Sequence, residues 1–171
     1  MHLPLPPTSR AADRPAGGAS PIADTEVVLA YARMLQREAL GGSRQPWLRD
    51  KNIGYLGGAG DGVEEALFCQ AATELGANVA RISPFPEAVL AKPDVQLTAR
   101  LIGRLYDAVD WPSAPTELLQ RVRSAAGIPI YDGLATARHP TARLAGLLDG
   151  ESSIADRRRF VVQAMLIATI I

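Results

Sequence analysis

Short apolar runs alternate with longer amphipathic stretches along this chain, and that alternation predicts its elements. Residues 53–56 (IGYL), 78–82 (NVARI), 106–111 (YDAVDW) and 128–131 (IPIY) are bounded by Gly, Pro or Ser and read as buried strands. Between them apolar residues recur every three or four positions. Val27, Val28, Tyr31, Met34 and Leu35 predict a first helix that opens at Ser20-Pro21 or Asp24 and ends at Gly41-Gly42. Further helices are predicted over 63–75, where Gly76 suits a left-handed cap, over 93–104 with Pro93 in the first turn, over 116–125, near 140–148, and from 154 to the end. Strands alternating with helices of this length imply parallel pairing and right-handed crossovers. The expected fold is α/β, a three-layer sandwich with a four-stranded parallel sheet.

The stretch KNIGYLGGAGDGV, residues 51–63, runs from a strand through a glycine-rich turn into a helix N-terminus. That arrangement turns backbone N–H groups toward an anion. Ligands of open parallel sheets sit beyond the carboxyl ends of the strands, so residues 57–62, 83–92, 111–112 and 132–139 are expected to share one rim.

Composition narrows the picture. Lys+Arg and Asp+Glu balance at 18 each, so bulk charge predicts no nucleic-acid partner. Cys69, the one cysteine, lies on the apolar side of its predicted helix and reads as a buried, inert thiol in a reducing cytoplasm. The apolar run 160–171 is about twelve residues, short of the roughly twenty a membrane span needs, so no membrane contact is expected. Residues 1–20 read as a mobile tail and 21–171 as a single domain.

NIGYL, ALFCQAATELGANVARISP, TARLIGRLYDAVDW and AGIPIYDGLATARHPTARLAGLL stand in the order and spacing of the first, carbamoyl-phosphate-binding domain of the ornithine and aspartate carbamoyltransferases, which residues 51–149 resemble. DRRRFVVQAMLIATI resembles that family's final helix, which returns from a second domain to pack on the first. The resemblance therefore implies a chain reduced to the first domain, with residues 151–171 as the returning helix and the second domain missing. It also implies a homotrimer with sites between neighbours.

The same resemblance marks where the chemistry has changed. The family's phosphate motif, S-x-R-T-R, falls on Asp61, Gly62, Val63, Glu64 and Glu65. Acids there suit the positive end of a helix dipole. They would repel a phosphate, at about 1 kcal/mol per like-charge pair 4 Å apart even in water. The arginine after the third strand falls on Pro112. Of H-P-x-Q, His139 and Pro140 remain while the glutamine falls on Ala142. Lys92 lies on the loop that reaches a neighbouring site in the family, and Arg158 matches an arginine that approaches the ligand. Arg157, Arg158 and Arg159 sit in a first helical turn, where cations oppose the dipole. Arg158 is therefore expected to pair with Asp61 or Glu65.

The expected protein is a carbamoyltransferase-like pseudoenzyme without catalytic residues, cofactor or metal, acting as a binding or assembly module. The alternative is residual carbamoyl- or carboxyltransferase activity, or binding of a small anion or amino acid, with a partner chain. A dinucleotide site is disfavoured. Gly58, Gly60 and Gly62 would need glycine where Val63 stands, and the second strand ends in Arg81 rather than an acid. With only His2 and His139 available, no Ser/His/Asp set can be assembled, and no ligand cluster marks a metal.

Overall fold

A computed structural model describes residues 23–58, 62–83 and 95–171. The predicted tail, Asp61, Lys92 and Pro93 lie outside these residues. The chain runs α1 (Thr25–Leu40), β1 (Asn52–Tyr55), α2 (Gly62–Glu74), β2 (Asn78–Arg81), α3 (Val95–Leu105), β3 (Ala108–Asp110), α4 (Thr116–Ala126), β4 (Ile130–Tyr131), a 3₁₀ helix η1 (Pro140–Leu147) and α5 (Ile154–Ile170). The strands pair in parallel in the order β2-β1-β3-β4, with Ile53 opposite Val79 and Ala108, and Val109 opposite Ile130.

Strand alternation sends successive side chains to opposite layers. Ile53, Tyr55, Ala108 and Tyr131 pack with α1, α2, η1 and α5, whereas Leu56, Val109 and Ile130 pack with α3 and α4. Predicted elements recur with shifted ends. Tyr106 joins the turn before β3, β4 keeps two residues, and the segment at 140–147 winds as 3₁₀ rather than α. Pro129 lacks an N–H, yet its carbonyl still accepts from Val109 N–H at 3.0 Å.

Every side chain from Phe160 to Ile167 in α5 is buried, because α1, α2 and η1 enclose the helix. The link from η1 to α5 is fastened from both sides. Gln36 of α1, itself buried, donates through Nε2 to Asp149 O at 2.7 Å and Ser152 Oγ at 3.0 Å. Arg157 donates to the Ser152 and Gly150 carbonyls. Gln36→Leu leaves the Asp149 carbonyl unpaired. We expect it to cost about 1–3 kcal/mol in urea unfolding, with faster amide exchange in the first turns of α5.

Candidate functional site at the carboxyl rim

At the carboxyl edge of the sheet the loop after β4 meets the end of β3 and the start of α5. β1 ends at Tyr55 and leads through Leu56 to α2, which begins at Gly62. Val63 stands 84% exposed there. Glu65, one turn in, forms an ion pair with Arg81 Nε at the end of β2. The expected pairing of Arg158 with Glu65 is therefore not formed, since Arg81 reaches Glu65 from the neighbouring strand. The Asp61 half of that expectation lies outside the described residues.

The three arginines of the α5 first turn find separate partners. Arg157 serves the loop carbonyls described above. Arg158 Nη2 donates to Ala135 O at 2.9 Å and Thr136 O at 2.8 Å. Arg159 meets Glu74 at 3.0 Å and Asp156 at 2.7 Å. Backbone carbonyls and local acids thus relieve the unfavourable dipole. Arg158 keeps one unused group: its Nη1 is buried with no hydrogen-bond partner among the described residues. Burial pulls its pKa below the usual guanidinium value.

The Arg158 acceptors belong to the loop after β4, and that loop hangs on Asp110. Asp110 is wholly buried at the end of β3. Its Oδ1 accepts from the Gly133 N–H at 2.8 Å and the Leu134 N–H at 3.1 Å, and its Oδ2 accepts from Leu134 at 3.1 Å. Burial pushes its pKa up to about 7, with the backbone N–H groups of Leu134, Gly133 and Trp111 pulling the other way. Gly133 has φ +67°, and a Cβ there would lie 2.6 Å from Thr136 Cγ2, so the turn requires glycine. Asp110 was not singled out from sequence; an acid at the end of a buried strand was the available signal.

His139 caps η1. Its Nδ1 accepts from the Thr141 N–H at 3.3 Å and lies 2.8 Å from Thr141 Oγ1. Burial first, then the charge of Arg158, lowers its pKa to about 4, so the imidazole is neutral at neutral pH. The structure thus brings His139 and Arg158 into electrostatic contact beside the Asp110-anchored loop. Glu64 and Glu65 stand on α2, with Glu65 engaged by Arg81. Pro112 is buried after β3, 3.4 Å from where a Cβ on Gly133 would stand. Cys69 is buried, and burial raises its thiol pKa. Among the described residues no group of His, Cys, Asp or Glu could hold a metal ion, and no helix is long and apolar enough to cross a membrane.

No family model matches the chain. A catabolic ornithine carbamoyltransferase of Burkholderia mallei is 34% identical over 121 residues, which cover 71% of this chain and 36% of that relative. The chain thus spans about a third of the length of the curated relatives it matches. Among solved structures, ornithine carbamoyltransferase from Burkholderia thailandensis superposes with TM-score 0.62 at 21% identity, over 73% of this chain and 44% of that one. The catalytic subunit of M. jannaschii aspartate transcarbamoylase gives 0.57 at 19%, over 74% and 42%. At these identities the superpositions establish a shared fold.

Proposed function

Over about 72% of its length this chain belongs to the ornithine/aspartate carbamoyltransferase family, and from that premise we propose a non-catalytic, first-domain form of it that works as a binding or assembly module. One observation carries the reading. In the first turn of α2, where the family resemblance places basic phosphate ligands, Val63 and Glu65 stand instead, and Glu65 is paired internally with Arg81. A carboxylate at that turn supplies the negative charge that a bound phosphate would bring. A second phosphate-sized anion would meet Glu64 and Glu65 at close range.

The family resemblance further supports a single compact unit for residues 21–171, with α5 as the returning helix, a homotrimer in solution, and a cytoplasmic setting. The mass of the purified chain by light scattering tests the trimer, and a clean monomer would remove it. Isothermal titration with carbamoyl phosphate tests the loss of the anion site. No saturable heat is expected up to millimolar ligand.

A second reading is favoured by the unpartnered, buried Arg158 Nη1 beside neutral His139. Together these could hold one small carbonyl or anionic oxygen, with a partner chain completing the site. Saturable binding near micromolar, lost in Arg158→Leu, would establish that reading and overturn the first.

A further inference from the structure

At the amino edge of the sheet, opposite the carboxyl rim, an open cleft of about 330 Å³ lies between the ends of α3 and α5 and the starts of β1 and β3. A volume of this order is at the low end for small-molecule sites. Hydrogen bonds fix its walls. Lys51 Nζ donates to Asp107 Oδ1 at 3.1 Å, and the Asn52 N–H donates to Asp107 Oδ2 at 2.8 Å. Thr169 Oγ1 donates to Met165 O at 2.7 Å and meets the hydroxyl of buried Tyr131. These groups are held in place before any ligand arrives, which lowers the cost of binding.

Charge selects the ligand. α3 ends at Leu105 and α5 at Ile170, and both last turns line the cleft. The Asp107 N–H, which would bond Gly103 O if α3 continued, donates instead to Asn52 O at 2.7 Å. The last carbonyls of α3 are thus left outside the helical ladder, and each helix end carries about half a negative charge. Against them stand Lys51, already balanced by Asp107, and Arg104. Arg104 is exposed and has no ion-pair partner among the described residues. One unpaired guanidinium beside two helix ends makes two separate poles that nearly cancel. The carbonyls repel a simple anion, and Arg104 repels a simple cation. A molecule bearing both charges satisfies both poles. Leu105, Ile128, Pro129 and Ile170 supply the apolar part of the lining.

We propose that this cleft binds a free aliphatic amino acid. The ligand carboxylate lies on the Arg104 fork, as guanidinium geometry favours. The ammonium faces Asp107 and the carbonyls at the ends of α3 and α5, and the side chain lies against the apolar wall. The family resemblance places the phosphate motif and the neighbour-reaching loop at the carboxyl rim. The cleft is at the opposite edge, so the inference does not depend on the state of the rim.

The probe is L-leucine, titrated calorimetrically into the full chain beside two truncated analogues. One is 4-methylpentanoate, which lacks the amine; the other is 3-methylbutylamine, which lacks the carboxylate. Leucine should half-saturate at about 1 mM or below, and each analogue should bind about tenfold more weakly for its lost contact. Arg104→Leu should weaken leucine about tenfold and leave the amine analogue unchanged or tighter. Asp107→Asn should weaken leucine and spare the carboxylate analogue. His139→Asn, at the rim, should change none of the three. No saturable heat up to roughly 10 mM leucine, or analogues as tight as leucine, overturns the proposal. So does leucine binding lost in His139→Asn but kept in Arg104→Leu, because the ligand would then sit at the rim. Light scattering supplies the last arm: the mass should be the same with and without leucine and in Arg104→Leu. A mass that drops in Arg104→Leu overturns the proposal, because the cleft would then be a contact between copies.

Discussion

Asp110→Ala is expected to lower the unfolding free energy by about 3 kcal/mol or more, read as a reduced urea midpoint. Truncation strips the acceptor from two buried N–H groups, those of Gly133 and Leu134. Each buried donor left unpaired costs roughly 1–3 kcal/mol. The loop so released carries the Ala135 and Thr136 carbonyls that hold Arg158, so its loosening also weakens the hold on the start of α5. Against a total stability of roughly 5–15 kcal/mol, this is among the largest single-residue effects the structure implies.

The same carboxyl sets a pH dependence whose sign can be worked out. In the unfolded chain Asp110 ionises near pH 4, whereas burial delays this to about 7 in the folded protein. Its stabilising contribution is therefore complete below pH 4 and is lost as pH rises toward 7. His139 runs the other way. Its folded pKa of about 4 lies below the unfolded value near 6.5, so its contribution is complete above 6.5 and is lost as pH falls toward 4. The two slopes oppose each other between pH 4 and 6.5, and the native profile should be shallow there. Asp110→Asn, which keeps the shape, should make stability climb with pH across that window. His139→Asn, which keeps a capping acceptor, should make it fall. Urea midpoints at half-unit pH steps measure both, and parallel profiles in all three proteins would refute the assignment.

Gly103→Ala carries the second large effect, and here two terms of opposite sign must be weighed. Alanine gains up to about 1 kcal/mol of helix propensity over glycine. A Cβ at this position, however, would lie 1.9 Å from the Ala126 carbonyl oxygen and 2.9 Å from its carbon. Ordinary contact begins beyond 3.4 Å, so α3 and the end of α4 must separate by more than an ångström. Overpacking of this kind costs about 1–3 kcal/mol, and the obstacle is backbone, which cannot swing aside as a side chain would. The expected net change is a loss of up to about 2 kcal/mol by thermal or urea unfolding. Gly146→Ala, whose Cβ would meet no atom within 4 Å, should be neutral and serves as the control.

Element type and order were legible because they follow from periodicity and punctuation, which are local properties. The four strands, the parallel sheet and the buried Cys69 all emerged from spacing, and Asp24 caps α1 at one of the two expected positions. The family likeness of residues 51–149 was legible for the same reason. Partner choice was not. Glu65 is bonded by Arg81, sixteen residues away on the adjacent strand, and Arg158 by carbonyls more than twenty residues away. Such pairings depend on which strand lies beside which, and that is settled by sheet order rather than by helical spacing.

KNIGYLGGAGDGV illustrates both halves. That this stretch is a strand, a glycine-rich turn and a helix start is written in its own residues, because backbone conformation responds to glycine, apolar runs and caps within a few positions. So is the loss of basic residues at this turn, to an apolar side chain at Val63 and an acid at Glu65. Where the negative charge finds its counter-ion, and that the rim is anchored by a buried Asp110 together with Arg158, arises only when the four strands lie side by side in the order β2-β1-β3-β4. Burial and charge pairing are sums over neighbours in space, and those neighbours come from segments far apart in the chain.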